Sequence, residues 1–594
     1  MCGILGIYNF KKQPINLDHI NSMIAAQHHR GPDGNGSWAN DEKNLVLGHN
    51  RLSIIDLTTA ASQPMHYADR YVITYNGELY NYLNLKAELK QKGHQFKTQS
   101  DTEVLLALFA EYGIECLQKM DGMFAFAIWD KIEKKLFCAR DRFGEKPFHY
   151  YYSTHDKKLV FASEIKTILA SKEIEKKINQ KMVYHFLANE LVENPLDFTE
   201  TFYEKINRLM PGSYFVINES GDLKVEKYWA LPYNKTPNQN NTNEQEVYSW
   251  FKETFSESVK TRLQADVTVG TSLSGGLDSS TITCIINSLK QNNQIQKTFS
   301  ARFYDDNLDE GKYIHLIKNE IQIDGKEIWV NENNLLEKAI SVLKNQDEPY
   351  TGTSAIAQFE VMKLASENNV KVLLDGQGAD ELLAGYSHFY PVYIRQLFLN
   401  NSKFLKSELE GYKNIMGEDF NFDILFMMNS RFHPLIKMVS DFKRNYISAG
   451  YNEFLNKDFI HQNNNHSKES LFKFFNNLPE AQHHFLTEYG LHKLLRHADR
   501  NSMANSIEVR LPFLNHSMVE KLLMLPSEFF IKDGWTKYIL RRSFADIVPS
   551  EVIWRKTKLG FQPPEKTWMN SNTIKPILNE AHQWLFKNGI TNHH

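Results

Sequence analysis

Along the first 230 residues, short runs of apolar side chains alternate with Gly, Pro, Asp and Asn. This alternation is typical of short β-strands separated by turns. Three other segments place apolar residues at helical spacing, and they are expected to pack over the strands. The pattern therefore predicts an α+β sandwich. The expected strands are Tyr71–Tyr75, Met123–Trp129, Lys135–Arg140 and Lys158–Ala162, and the expected helices are Leu17–Ala26, Leu83–Lys92 and Asp101–Tyr112.

The pattern changes after residues 232–246, a stretch rich in Pro, Asn and charge that cannot bury itself and is predicted to be a linker. Beyond it, apolar strands alternate with helical segments, which predicts a parallel sheet covered on both faces. From about Gln396 to the end the spacing is mostly helical. The expected strands are Asp266–Val269, Lys297–Ala301 and Val370–Leu374, and Thr281–Leu289 is an expected helix.

Composition narrows the classes of partner. The 594 residues are 42% hydrophobic, which is enough for two or more packed domains. Lys and Arg number 68 against 71 acidic residues, so the net charge of −3 offers no case for binding nucleic acid or an anionic membrane. With no apolar run of bilayer length, no leader pattern and four cysteines without CxxC spacing, we expect a cytoplasmic protein that acts on small molecules.

The second residue is a candidate nucleophile. Once Met1 is removed, which a small second residue permits, Cys2 carries a thiol and a free α-amine on one residue. The amine, with an ordinary pKa of about 8, is able to act as the base that activates the thiol.

A glycine-rich segment after the linker is a candidate phosphate-binding loop. Ser274–Ser280, with the sequence SGGLDSS, lies between an apolar run and a helical segment, so its backbone N–H groups are placed to bind an anion. It lacks the Gly-Lys-Ser/Thr of a Walker loop. The acidic residue inside the turn, Asp278, would repel phosphate unless a cation intervenes, and this predicts a Mg²⁺ ligand.

A second segment, Asp375–Glu381, repeats this arrangement after another strand. Its glycines are Gly376 and Gly378, and Asp380 is the expected second metal ligand. Two such loops, leaving neighbouring strand ends, would enclose a nucleotide at the carboxyl edge of the sheet.

Several further motifs occur together with these, in a fixed order along the chain. In this combination the chain resembles the glutamine-hydrolysing asparagine synthetases, and the resemblance covers nearly its whole length. In the first half the motifs are Cys2–Ile4, His29–Asp33, Arg51–Asp56, Tyr75–Glu78, Ser100–Glu103, Ala139–Gly144 and Phe161–Lys166. In the second half they are Ser274–Ser280, Gly378–Tyr386, Leu495–Met503, Ile507–Leu514, Thr536–Arg541 and Trp554–Lys556.

The resemblance implies two domains. Residues 2–232 would form an α+β N-terminal-nucleophile sandwich, a class II glutamine amidotransferase domain. Residues 247–594 would form an α/β parallel-sheet ATP-pyrophosphatase domain with a helical C-terminal part, the asparagine synthetase domain.

The resemblance also implies a glutamine site. Cys2 would attack the glutamine amide, and Asn76 with the Gly77 N–H would form the oxyanion hole. Arg51 would hold the α-carboxylate and Asp101 the α-ammonium, pairings that suit a planar Arg fork and a carboxylate. Leu52, Ile55 and Glu78 would complete the site. Taken singly, these residues have other interpretations: Asn76-Gly77 is a common hairpin turn, and Arg51 and Asp101 could form an ion pair on the surface.

For the second domain, the resemblance implies that ATP transfers AMP to a carboxylate, with release of pyrophosphate, before ammonia displaces AMP. Mg²⁺ would sit between the phosphates and the two aspartates, Asp278 and Asp380. Glu381 would contact the acceptor, and Lys537 the pyrophosphate. The expected ATP-binding residues are Ser272, Ser274, Gly275, Gly276, Asp278, Ser279, Ala301, Asp375, Gly376 and Lys537.

Two departures from the family pattern concern the acceptor. Many asparagine-forming members have Ser-Gly-Glu-Gly where this chain has Asp375-Gly376-Gln377-Gly378, and residues 347–354 contain no arginine where the family usually has Thr-Thr-x-Arg. Aspartate is the expected acceptor, and the alternative is another carboxylate, such as a sugar acid of a surface polysaccharide.

Two other classes of function are disfavoured. A non-catalytic binding protein is disfavoured because Cys2, Asn76, Asp101, Asp278 and Asp380 are all present. A nucleic-acid-modifying adenylase is disfavoured by the near-neutral charge. The expected partners are glutamine, ATP and aspartate, without nucleic acid or membrane, and a homodimer is possible.

Overall fold

The structure is a computed structural model of the 594-residue chain. It describes residues 2–233, 243–290, 295–421, 454–463, 475–556, 560, 562–572 and 574–592. Most of the expected linker, 234–242, lies outside the described residues.

The first half is a sandwich of two antiparallel six-stranded sheets. Its strands are β1 Gly3–Asn9, β2 Gly34–Ala39, β3 Leu45–Arg51, β4 Met65–Tyr67, β5 Tyr71–Leu79, β6 Gly122–Asp130, β7 Lys135–Arg140, β8 His149–Ser153, β9 Lys158–Ala162, β10 Ile206–Arg208, β11 Ser213–Ile217 and β12 Leu223–Lys227. One sheet has the order β10-β8-β9-β1-β3-β2 and the other β12-β11-β7-β6-β5-β4. Apolar side chains of both sheets, including Ile4, Leu47, Val72 and Ala125, form the core between them.

Helices cover the outer faces of the sandwich. They are α1 Leu17–Ala26, α2 Tyr82–Gln91, α3 Asp101–Tyr112, α4 Cys116–Lys119, α5 Ile165–Ala170 and α6 Gln180–Asn189. Ile20 and Met23 of α1 pack with Ile168 of α5 on one sheet, while Leu89 of α2 and Leu105 of α3 pack on the other. The predicted α+β sandwich is confirmed.

The second half is built on a parallel sheet with the order β15-β14-β13-β16-β17. Its strands are β13 Val269–Ser272, β14 Gln296–Arg302, β15 Ile323–Trp329, β16 Val372–Leu374 and β17 Glu508–Arg510, and a small hairpin pairs β18 Ile531–Lys532 with β19 Trp535–Thr536. The predicted parallel sheet is confirmed. β13 begins three residues later than expected because Asp266 instead bonds the first half, with its N–H on Ile54 O at 2.9 Å.

Helices surround this sheet and make up most of the remaining described chain. They are α7 Glu244–Thr261, α8 Leu277–Leu289, α9 Gly311–Glu320, α10 Leu335–Gln346, α11 Ser354–Glu367, α12 Ala379–Leu382, α13 Phe389–Leu399, α14 Leu405–Met416, α15 Lys457–Asn463, α16 Leu478–Thr487, α17 Leu491–Met503, α18 His516–Leu522, α19 Tyr538–Phe544, α20 Ser550–Ile553, α21 Glu565–Met569 and α22 Lys575–Lys587. α7 starts inside the expected linker because Asn243 caps it, accepting the Gln245 N–H.

The two halves are held together by buried contacts. Leu52, Ile54 and Phe143 of the first half belong to the main apolar core of the second. Arg30, which is fully buried, donates to both carboxylate oxygens of Asp499 at 2.8 and 2.9 Å. The sandwich half therefore forms one packed body with the parallel-sheet half.

Two candidate active sites

Cys2 lies immediately before β1, which is central in its sheet. Its backbone N–H donates to Asn76 Oδ1 at 2.9 Å, and its thiol points to Leu52 O at 3.9 Å. Arg30 Nε donates to Cys2 O at 3.0 Å. Burial raises the pKa of the Cys2 thiol above its ordinary value, so the thiol needs a base in order to ionise.

Asn76 and Gly77 lie within β5 and pair with β6, so they do not form the hairpin turn that their sequence also allowed. Asn76 Nδ2 is buried and has no hydrogen-bond partner among the described residues. A Cβ at Gly77 would lie 2.2 Å from Met123 O, so only glycine fits against β6 here. The unpartnered amide near Cys2 is suited to stabilise a developing oxyanion.

Asp101 begins α3 and is buried beside β5. Its Oδ2 accepts the Tyr75 hydroxyl at 2.9 Å and the Leu79 N–H at 3.0 Å. Burial raises the pKa of Asp101 to about 6, although both hydrogen bonds lower it. This is a fixed carboxylate and not part of a surface pair.

Glu78 faces the other half of the molecule. Its Oε2 accepts from Arg510 Nη2 of β17 at 3.0 Å, and Arg510 also contacts Glu508 at 2.6 Å. Burial raises the pKa of Glu78 well above its ordinary value, with Asp101 adding to the effect and Arg510 opposing it. The expected glutamine-site residue Glu78 is thus also a contact between the two halves.

Arg51, at the end of β3, organises the loop that follows. Its guanidinium donates to Thr58 O at 2.7 Å and to Asp56 O. Leu52 and Ile55 lie in the same loop and pack against the main core of the second half. The structure therefore brings the loop with Arg51, Leu52 and Ile55 to Cys2, through the contact of Leu52 O with the thiol.

The two glycine-rich loops leave adjacent parallel strands. β13 pairs with β16, with Thr271 opposite Leu374, so both loops emerge at the same edge of the sheet. Gly275 has φ +82°, and Gly276 caps α8. Gly378 has φ +87°, and a Cβ there would lie 2.6 Å from Leu514 Cδ2. The positive φ angles of Gly275 and Gly378 favour glycine in both turns.

Lys537 joins the two loops. Its Nζ lies 2.5 Å from Asp278 Oδ2 of the first loop and 2.7 Å from Asp380 Oδ1 of the second. Burial lowers the pKa of Lys537, but the two carboxylates outweigh it and leave the pKa raised. Gly385 makes room for this cluster, since a Cβ there would lie 2.0 Å from Asp380 Oδ1.

The second loop has two further carboxyl groups, of which Glu381 is buried and Asp375 half-buried. Glu381 accepts the Tyr386 hydroxyl at 2.6 Å, and burial, with Asp380, raises the pKa of Glu381 to about 7. The N–H of Asp375 donates to Arg510 O at 3.0 Å, and burial raises the pKa of Asp375. Arg510 thus contacts Glu78 through its side chain and the second loop through its backbone.

The two loops open onto a pocket of about 650 Å³. All the expected ATP-site residues line it except Gly275, whose turn packs on α9, where a Cβ would lie 3.0 Å from Glu310 O. Asp380 and Glu381 line it as well. The lining residues that sequence reasoning did not assign include Glu310, Ser354, Gln358, Tyr386, His497, Arg541 and Arg555.

Among these, Arg555 and Glu310 form a buried pair at 2.6 Å, and burial raises the pKa of Glu310 to about 7. Arg541 donates to the Thr536 and Ile553 carbonyls. The motifs Thr536–Arg541 and Trp554–Lys556 contain both arginines, but nothing in the sequence indicated that they face one pocket. Glu310 lies outside all of the sequence motifs.

The two aspartates suit a magnesium ion that completes its coordination with phosphate oxygens, because Mg²⁺ commonly uses only one or two protein carboxylates. Among the described residues, no three His, Cys, Asp or Glu side chains cluster as a metal site. In the same part of the chain, no helix has the length and apolar character needed to cross a membrane.

Together the two halves have the architecture of a class II glutamine amidotransferase joined to an ATP-dependent synthetase. The family described as "Glutamine amidotransferase domain" matches residues 1–229, and the family described as "Asparagine synthase" matches residues 251–584. The chain belongs to the glutamine-hydrolysing asparagine synthetase family, whose members are ATP-dependent ligases.

Individual relatives span almost the whole chain. "Asparagine synthetase [glutamine-hydrolyzing] 1" of Bacillus subtilis is 32% identical over 98% of this chain and 89% of its own. "Putative asparagine synthetase [glutamine-hydrolyzing]" of Mycobacterium bovis is 30% identical over 97% of this chain and 89% of its own. A solved structure titled "Structure of the allosteric regulatory enzyme of purine biosynthesis" aligns over 55% of this chain and 80% of its own, with 17% identity and a TM-score of 0.30.

Proposed function

We propose that this protein makes asparagine from aspartate, with glutamine as nitrogen donor and ATP as energy source. Glutamine and water give glutamate and ammonia in the first half. In the second half, the aspartate side-chain carboxylate and ATP give an acyl-adenylate and pyrophosphate, and ammonia then displaces AMP to form the amide. The observation that carries the proposal is the 650 Å³ pocket, in which two glycine loops and Lys537 converge, in a chain that also positions Cys2 against Asn76.

In the first half, the nitrogen of Cys2 becomes the α-amine when Met1 is removed, and it takes the proton of the thiol. Because burial raises the pKa of that thiol, an adjacent base is needed. Asn76 Nδ2 and the Gly77 N–H would stabilise the oxyanion. Asp101 would bind the ammonium of glutamine and Arg51 its carboxylate, with Leu52, Ile55 and Glu78 around it.

In the second half, the backbone of the two loops would hold the phosphates of ATP, and Lys537 the pyrophosphate that leaves. Asp278 and Asp380 would hold Mg²⁺, which neutralises phosphate charge when it is bound. Since both carboxylates contact Lys537 in the protein alone, we expect the Lys537 ammonium to turn toward the phosphates as ATP enters. Glu381 would face the acceptor.

A second candidate keeps both half-reactions but amidates a different carboxylate, such as a sugar acid. Gln377 lines the pocket in place of a carboxylate, and Ser354, Gln358 and His497 are further neutral residues of its lining. Burial holds the pKa of His497 well below its ordinary value, so its ring is neutral. Asp347 and Glu348 turn away from the pocket and bond the first half, at Ile165 N–H and Arg208. These observations favour an acceptor that carries little charge apart from the carboxylate that reacts.

The test measures pyrophosphate release and amide formation with aspartate or a uronic acid, using glutamine or ammonium as nitrogen source. We expect asparagine with aspartate, and Cys2→Ala should lose glutamine-driven synthesis but keep the ammonium-driven reaction. Cys116→Ala, which alters a buried cysteine of the same half, is the matched control and should keep both. If amide forms only with the uronic acid, aspartate is not the acceptor and the second candidate function is correct. Loss of both activities in a folded Cys2→Ala protein would contradict the division into two sites.

A further inference from the structure

A second cavity, which we call the interdomain arginine cavity, lies where the two halves meet. Its volume is about 50 Å³, and none of its lining residues lines the ATP pocket. Both halves contribute guanidinium groups: Arg140 and Arg208 from the first half, Arg496 and Arg500 from α17. The same wall contains Glu145, His149, Glu193, His492 and Asp499.

Ion pairs balance most of the charge around the cavity. Asp499 pairs with Arg30, Glu348 with Arg208 and Arg496, and Glu193 lies 3.7 Å from Arg208. Glu164 and Asp347 pair with Arg500 and Lys166. Five carboxylates therefore face five cations.

Arg140 does not belong to any of these ion pairs. Its three nitrogens donate to the carbonyls of Gly144, Lys146 and Leu209, and it forms no ion pair with a described residue. The neighbouring Asp141 carboxylate accepts backbone N–H groups instead, including those of Gly144 and Lys146. Burial lowers the pKa of Arg140 to about 10, which still leaves it charged at neutral pH.

The Asp141 carboxylate opposes the charge of Arg140, but the ammonium of Lys146, which is only 2% exposed and lies in the same turn, adds a further positive charge. Burial, with Asp141, raises the pKa of Glu145 to about 8, so this carboxyl keeps its proton at neutral pH. Burial lowers the pKa values of His149 and His492, so both rings are neutral. The wall of the cavity is therefore cationic.

Two of the guanidinium groups also have an N–H without a partner. The Nε atoms of Arg496 and Arg500 are buried, and no described residue accepts from either. Arg500 is only 2% exposed. Unpaired guanidinium N–H groups are costly when buried, and because both arginines line the cavity, an anion there would offset their charge.

We propose that the interdomain arginine cavity binds a small monovalent anion of the halide class, such as chloride. A volume of about 50 Å³ accommodates a few waters or one such ion, and it is too small for a nucleotide or an amino acid. Because the wall comes from both halves, the ion binds only when they are docked. The docked protein should therefore become more stable as the concentration of the ion rises.

The direct test is crystallographic. Crystals of the full chain grown in sodium bromide, with data collected at the bromine absorption edge, should show an anomalous peak in the cavity next to Arg496 and Arg500. A cavity without an anomalous signal, whether water fills it or not, would overturn the proposal.

A test in solution compares sodium chloride with sodium gluconate at equal ionic strength, because gluconate is too large for the cavity. We expect the thermal midpoint to rise with chloride but not with gluconate. Arg496→Gln should abolish the difference, and Arg70→Gln, which alters a partly exposed arginine outside the cavity lining, should keep it. Equal midpoints of the wild-type protein in the two salts would overturn the proposal even if Arg496→Gln fails to fold.

Discussion

The substitution Arg30→Gln tests how the two halves are joined. Arg30 donates three hydrogen bonds to carboxylates, two to Asp499 and one to Glu164 at 2.9 Å, and neither it nor these partners is exposed by more than 4%. Removing one partner of a buried ion pair costs about 3–5 kcal/mol, because the remaining charges stay buried without compensation. We expect the free energy of unfolding to fall by about this amount.

The assay is urea unfolding followed by tryptophan fluorescence, with Arg70→Gln as the matched control. Arg70 also makes three charge-assisted hydrogen bonds, all to Asp130, but its side chain is 35% exposed. Exposed pairs contribute about 0–1 kcal/mol, and since Arg70 is partly exposed while Asp130 is 8% exposed, the control should lose clearly less than Arg30→Gln. The two variants differ mainly in burial.

A second measurement separates docking from catalysis. Because Arg30 Nε also donates to Cys2 O, Arg30→Gln should reduce glutamine-driven synthesis more than ammonium-driven synthesis. In Arg30→Gln/Asp499→Asn, the loss of stability should be smaller than the sum of the two single losses. If Arg30→Gln is no less stable than Arg70→Gln, burial is not what makes this contact strong, and the reasoning fails.

Three further outcomes are expected. Asn76→Ala should lower glutamine-driven kcat by about 10²–10³, the usual effect of losing one oxyanion donor, and leave ammonium-driven turnover the same. An equal fall in both rates would contradict the assignment of Asn76 to the oxyanion hole. The KM for glutamine should rise as the pH falls below the pKa of Asp101, which is about 6, because the carboxyl then becomes neutral and no longer attracts the ammonium of glutamine. A KM that does not change across this pH range would contradict the assignment of Asp101 to the ammonium. Gly385→Ala should abolish ATP-dependent synthesis and leave glutaminase activity, since its Cβ would lie 2.0 Å from Asp380 Oδ1, whereas Gly34→Ala, with open space at its Cβ, should keep both activities.

Local patterns in the sequence predicted much of the fold. The strand Lys158–Ala162 and the helix Asp101–Tyr112 have the expected bounds, because the first is a short apolar run that follows a turn and the second begins at the N-cap residue Ser100. β15 was not predicted, since Ile323–Trp329 is an edge strand in which no residue is fully buried. β1 was not predicted either, although all seven of its residues are buried.

From the residues alone, the candidate sites could be predicted only where a motif is local, and the grouping of Cys2, Asn76 and Asp101 came from the family resemblance. The strand-loop-helix around Asp278 is local, and its pattern was sufficient. The contact of Arg510 with Glu78 spans 432 positions, and no local pattern indicates it. No local pattern indicates the ion pair of Arg555 with Glu310 either, because Arg555 lies in a family motif and Glu310 lies in none.

Arg510 has a consequence for protein engineering. One residue of the synthetase half bonds a carboxyl group of the glutaminase half and, through its backbone, the second nucleotide loop. Chimeras that exchange the N-terminal half for that of a relative should therefore work only if the donor preserves the partners of Arg510. A chimera joined only at the linker could contain two correctly folded halves and still lack the contacts that Arg510 makes between them.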